Sequence, residues 1–278
     1  MSSQPPATAP SATGSTAPSQ RPATPASAPP TATAGAHSDE TPAARPAPAW
    51  LGSRALPTDA DGSVPPQSTP PELVDRNFVT VDLLPPPSGR DFEATIEPLA
   101  GEPLERSTWD PSCPVTIDGL RYVTMSFWGF DGRPHTGEMI VNRAVADDLV
   151  SVFKTLYDAR FHIEQMRIST PADLDAAPTG DGNNTTSFVC REAVGRPGTL
   201  SEHAYGLAVD VNPFHNPYVR GDLVLPELAR AYTDRSSPTR GMIVEGDVVT
   251  KAFDQIGWGW GGRWTRLKDY QHFSRNGR

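Results

Sequence analysis

Two histidines and an aspartate carry most of the chemistry this chain can offer. His203 and Asp210 fall within SEHAYGLAVDVNP (201–213), and His272 within KDYQHF (268–273) near the C-terminal end. Two imidazoles and one carboxylate can hold a zinc ion and leave its fourth position open to water, the arrangement of a hydrolytic rather than a structural site. Asp269, three residues before His272, is a second carboxylate placed to handle protons. Amide hydrolysis at neutral pH needs those parts and one more, a positive group where charge develops on the carbonyl oxygen.

These residues need a folded frame, and composition bounds where it lies. The first seventy or so residues hold about half of the 31 prolines and are otherwise mostly Ala, Ser and Thr. Such a stretch buries too little apolar surface to offset chain entropy, so residues 1–75 are expected to be a disordered tail or linker and 76–278 the folded domain. Deleting 1–75 is then expected to leave activity on soluble substrates intact. A net charge of −9 offers no basic stripe for phosphates, which argues against nucleic acid as a partner. No apolar run approaches a membrane span, and no secretory leader is visible. The two cysteines, Cys113 and Cys190, have no metal-like spacing. In an exported protein they are expected to pair, closing a loop worth roughly 4 kcal/mol; in a reducing compartment they are two small buried residues.

Within 76–278, LRYVTMSFW (120–128) alternates with Val123, Met125 and Phe127 on one face, and EMIVN resumes that pattern after GFDGRPHTG. The stretch 120–142 therefore reads as a hairpin with a long loop. Asn142 can cap the next segment, in which Val145, Leu149, Val152, Phe153 and Leu156 recur at helical spacing. A short strand is expected over 162–168, a polar loop over 171–186 and a further strand over 187–191. In AYGLAVDVN, Leu207, Val209 and Val211 alternate with Gly206, Ala208 and Asp210, so a strand here turns Asp210 away from the core beside small neighbours. Residues 247–256 read as a short helix ended by Gly257. The sum is an α+β fold with a small, mostly antiparallel sheet and packed helices.

The unbroken string from Ser201 to Asp210 fits S-x-H-x-x-G-x-A-x-D, and GWGWGGRW followed by KDYQHF fits a Trp/Gly-rich approach to D-x-x-H-F. Together they resemble the M15 family of zinc D,D-carboxypeptidases and L-alanyl-D-glutamate endopeptidases, over roughly residues 110–275. NNTTSFVCR and NPFHNPYV resemble the branch whose base is Asp. The resemblance implies a hedgehog/D,D-peptidase-like fold, and zinc bound by His203, Asp210 and His272. It further implies Asp269 as general base, Arg191 steadying the oxyanion, and Ser201 and Asn184 as substrate-side or supporting groups. Peptidoglycan stem peptides would be the substrates of a monomeric enzyme outside the cell or in its envelope. Three alternatives stay open: cleavage of a terminal D-alanine or between L-alanine and D-glutamate, a silent zinc-binding cell-wall module, and a Pro-rich tail that is itself the interacting part.

The remaining histidines have plainer readings. His37 falls in the tail, His135 in the hairpin loop and His162 near the helix end, while His215 is a competitor ligand by proximity to Asp210 alone. Trp258, Trp260 and Trp264 are expected to pack around Gly259, Gly261 and Gly262, with one indole walling a cleft.

Overall fold

The computed structural model describes residues 43–278. The Pro-rich stretch through residue 42, and His37 with it, lies outside the described residues. Residues 43–75 do not continue it: they run against the domain as an ordered strap. The short helix α1 (Pro71–Val74) buries Leu73 completely. Trp50, Leu51 and Leu56 pack against a cluster formed by Leu73, Phe78, Phe214, Val224 and Tyr232. Although composition groups this segment with the tail, a few large apolar side chains spaced among its prolines suffice to seat it on a neighbouring face.

The strap is pinned at its end. Arg76, 4 % exposed, makes a two-pronged pair with Glu164 at 2.8 and 2.6 Å and donates to Asp181 O at 2.7 Å. Its guanidinium also lies 4.3 Å from the Phe214 ring centroid.

Beyond the strap, β1 (Ala94–Pro98), β2 (Leu120–Trp128) and β3 (Pro134–Asn142) form an antiparallel sheet in that order, with α2 (Gly101–Arg106) between β1 and β2. Val123 pairs with Met139 across the hairpin, and both point into the core. Helix α3 (Ala146–Asp158) lays Leu149, Val152, Phe153 and Leu156 on that face, each contributing roughly 2 kcal/mol by burial. Asn142 caps the turn into it by accepting from the Ala144 N–H at 3.0 Å.

The middle of the chain departs from expectation. The strand expected over 162–168 shrinks to β4 (Gln165–Met166). The expected loop 171–186 contains α4 (Pro171–Asp175), started by a Thr170–Asp173 capping box, and β5 (Asn184–Thr185), parallel to β4. Residues 187–191 form no strand. Their N–H groups go to separate partners, Phe188 to Ile140 O and Val189 to His203 O, so no single ladder forms. Cys190 is disulfide-bonded to Cys113, 77 positions away.

The last third carries the site. In order come β6 (Ala208–Asp210), β7 (Tyr218–Arg220), β8 (Leu223–Leu225), α5 (Val248–Gln255), β9 (Gly259–Trp260), β10 (Lys268–Asp269) and β11 (His272–Ser274). One small antiparallel sheet runs β6-β11-β9 and another β10-β7-β8. Val209, Val211, Phe253, Trp258, Trp260 and Phe273 join the cluster built on the hairpin and α3, so the site strands stand on the main core. Asp247 caps α5 and Gly257 ends it at φ 76°. The fold is α+β with small, mostly antiparallel sheets.

Candidate metal centre

His203 sits on a single 3-10 turn, Glu202–Tyr205. Ser201 starts that turn by accepting from the His203 N–H at 3.3 Å. Gly206 ends it at φ 64°, where an added Cβ would lie 2.6 Å from the Asn142 nitrogen. Only glycine fits both the left-handed backbone and the close approach. The glycine three places after His203 is thus a turn that returns the chain into β6 and brings Asp210 back toward the imidazole. His272, on β11, is the direct antiparallel partner of Asp210, which puts the two side chains on one face.

The result is a tight convergence. His203 Nε2 lies 3.2 Å from Asp210 Oδ2, His272 Nδ1 lies 3.0 Å from Asp210 Oδ1, and the two ring nitrogens are 3.3 Å apart. Both histidines are buried. Their outward nitrogens face backbone oxygens: His203 Nδ1 donates to Ser187 O at 2.6 Å and His272 Nε2 to that of Arg278 at 3.1 Å. Such oxygens only accept, so each outward nitrogen carries the hydrogen and each inward one a lone pair. Two lone pairs and a carboxylate aimed at one point repel unless a cation lies between them. The donor set fits a zinc-type ion, with three protein ligands and room for water. Burial disfavours a charged His272, yet the bond and charge of Asp210 outweigh it and raise its pKa, so a proton takes the place between these groups that a cation would take by displacing it. Burial likewise opposes an ionised Asp210, but the two histidines hold its pKa well below the usual carboxylate range.

Asp269 enters from β10. Its backbone passes so close to Gly261 that a Cβ there would lie 2.6 Å from the Asp269 carbonyl oxygen, which gives one glycine of the Trp/Gly-rich approach its reason. Oδ1 of Asp269 is buried and has no hydrogen-bond partner. Burial pushes its pKa up to about 7, with Asp210 adding to the rise and His272 and Arg191 opposing it. A carboxyl group titrating near neutrality can both take and give a proton.

These groups border one cleft of about 1060 Å³, which also takes in Arg191 and Ser201. Arg191 donates to the Glu192 carbonyl at 3.0 Å and pairs with no carboxylate among the described residues. Ser201 borders the cleft, but its hydroxyl is engaged in capping. Asn184 is not at the cleft. Its amide donates to Arg167 O and accepts from Arg167 N–H, both at 2.9 Å, tying β5 to β4. Among the described residues Asn184 thus ties two strands together and does not border the cleft.

Tyr218 was not singled out by the motifs. It lies opposite Asp269 in the β7–β10 ladder, borders the cleft, and its hydroxyl bonds to no other described residue. A pairing register leaves no local sequence signal. His215 is fully buried and held by Asn183 at 3.1 Å and Arg76 O at 3.0 Å, with its ring stacked on Phe130. His135 is wedged between Asp82 and Asp131. Trp258 and Trp260 are core, whereas Trp264 walls the cleft with its ring 5.6 Å from His272. Asp110, Cys113 and Cys190 also cluster, but the two sulfurs are bonded to each other.

Residues 195–275 match the peptidase family described as D-alanyl-D-alanine carboxypeptidase. The segment is that of an M15-family peptidase. The M15 match takes in Ser201, His203, Asp210, Asp269 and His272, while Arg191 and Asn184 precede it. The match, confined to residues 195–275, supports a peptidase acting on cell-wall peptides. No curated protein and no solved structure matches the chain. Among the described residues, no helix is long and apolar enough to cross a membrane.

Proposed function

We propose that the protein is a zinc-dependent peptidase of peptidoglycan stem peptides, acting as a D-alanyl-D-alanine carboxypeptidase. The observation that carries this reading is the convergence of His203 Nε2, His272 Nδ1 and the Asp210 carboxylate, with the outer nitrogens committed to backbone oxygens. Zinc held there supplies a Lewis acid and lowers the pKa of its water to about 7. Asp269, buried and unpartnered at Oδ1, takes the proton from the attacking water as its oxygen bonds to the carbonyl carbon. It returns that proton to the leaving nitrogen as the C–N bond breaks. Arg191 faces the negative charge that develops on the carbonyl oxygen. The Tyr218 hydroxyl is a second donor on the same wall. A Cys113–Cys190 disulfide suits an oxidising compartment, in keeping with work in the cell envelope.

A buried carboxylate oxygen without a partner, Oδ1 of Asp269, argues against a silent binding module, because leaving one costs stability that a mere scaffold has no reason to forgo. The test is Asp269→Ala. It is expected to keep stoichiometric zinc and to lower turnover of a defined stem pentapeptide by about 10²–10⁴-fold; unchanged turnover removes the proposed base. Mass spectrometry of the products identifies the bond. Loss of one D-alanine supports the carboxypeptidase, and scission between L-alanine and D-glutamate replaces it with the endopeptidase.

A further inference from the structure

Away from the ligand cluster and Asp269, arginines outnumber carboxylates on the walls of the cleft. The chain has a net charge of −9, yet Arg191, Arg196 and Arg266 all border the cleft and pair with no carboxylate among the described residues. Arg263 is the contrast. It borders the same cleft but is neutralised by Glu245 at 2.7 Å and Asp254 at 2.6 Å. Outside the ligand cluster and Asp269, the acidic groups at the cleft are Glu202 and Glu227.

Arg196 is held on a stiff arm. Residues 191–200 form a small hairpin with a Glu192–Leu200 bridge, and Ala193 N–H donates to Thr199 O at 2.8 Å. The Glu192 carboxylate accepts from the Gly198 N–H at 2.9 Å and so braces the tip from within. Gly195 takes φ 67°, and an added Cβ would meet the Arg220 guanidinium at 3.2 Å. Arg266 follows Trp264, which also borders the cleft and whose indole donates to Gly277 O at 2.8 Å.

We infer that Arg196 and Arg266 form a second carboxylate subsite in this cleft, so that the preferred ligand is a peptide bearing an acidic group in addition to the one at its C-terminus. The inference rests on the peptidase reading for the cleft's role and adds to it a class of substrate. Guanidinium groups without an internal partner recognise carboxylates through paired N–H donors. Arginines without an internal carboxylate partner also draw acidic ligands toward the part of the cleft they border.

The experiment uses the full chain, zinc-loaded, with Asp269→Ala to prevent turnover, and measures equilibrium binding by calorimetry. The probes are two synthetic stem pentapeptides that differ only in amidation of the glutamate α-carboxylate. The free-carboxylate peptide is expected to bind about tenfold more tightly, and Arg196→Gln with Arg266→Gln to abolish that difference. Equal binding of the two peptides, binding of neither, or a preference that survives the double substitution overturns the inference. The two readings fail separately. A binding preference without cleavage by the unsubstituted enzyme sinks the peptidase reading and leaves the subsite standing; cleavage with equal binding does the reverse.

Discussion

Replacing Arg76 by Met tests whether the strap belongs to the folded unit. Arg76 is 4 % exposed, and its guanidinium supplies two of the bonds to Glu164 and one to Asp181 O. Methionine fills similar volume but leaves the buried Glu164 carboxylate with the Asn183 amide, at 2.9 Å, as its remaining side-chain donor. Removing one partner of a buried ion pair costs about 3–5 kcal/mol, because the other charge stays uncompensated. With an unfolding entropy of about 0.5 kcal/mol/K for a folded part of this size, the melting temperature should fall by about 6–10 °C. Adding Glu164→Gln removes the orphaned charge while keeping an acceptor for Asn183, so the double variant should recover about 2 kcal/mol or more of that loss. Calorimetry on the single and double variants reads both quantities. A cost below about 1 kcal/mol for Arg76→Met, or a double variant as unstable as the sum of the singles, would refute the anchor. The same anchor bears on truncation. Deleting residues 1–75 removes fully buried Leu73 and the Trp50, Leu51 and Leu56 contacts, and should destabilise at least as much as Arg76→Met.

Three further outcomes can be measured. Cys113→Ser opens a loop of 77 positions and should cost roughly 4 kcal/mol on the chain-entropy account; an unchanged urea midpoint would show that the bridge adds nothing. Burial alone would raise the pKa of Glu164 and of Glu138, but Arg76 holds the first, and Arg106 with Tyr122 the second, below the usual 4.5. Their contribution is therefore fully present above about pH 4.5 and is lost as the pH falls through the depressed folded values. Melting temperature should drop on acidification below that point, and a rise would contradict the assignment. Zinc at a hundredfold excess over its dissociation constant should add about 2.7 kcal/mol to stability, or roughly 5 °C. A chelator should remove that gain, and Asp210→Asn should reduce it; identical melting curves with and without zinc would exclude binding to the native fold.

What could be read from the residues was what repeats locally. The hairpin 120–142 and helix α3 arise from periods of two and 3.6, and both stand where expected. The ligand types at 203, 210 and 272 come from motif strings. What could not be read was set by distant partners. Residues 187–191 have strand composition, but their N–H groups are divided between β3 and the His203 turn, so they bridge instead of pairing. Asn184 looks like a site residue in sequence because it falls in the string NNTTSFVCR, and only the Arg167 backbone reveals that its amide is already used. The strap was missed because proline content dominates its composition, while its seating depends on Trp50, Leu51, Leu56, Leu73 and Arg76 meeting faces formed far downstream.

The spacing of 62 positions between Asp210 and His272 is itself explained by the fold. A carboxylate and an imidazole can be held about 3 Å apart either by a single local turn or by strands paired in fixed register. The chain uses both: the His203 turn closed by Gly206 on one side, and the β6–β11 pairing of Asp210 with His272 on the other. Val209 and Phe273, the adjacent pair in that ladder, are both fully buried. A slip of one residue would turn Phe273 toward the cleft and His272 into the core, so the register is enforced by burial and the ligand geometry comes with it. Phe273→Ala should therefore loosen metal binding as well as lower stability by about 3–5 kcal/mol. A variant that loses stability but binds zinc unchanged would show the two ligands to be held by something other than this ladder.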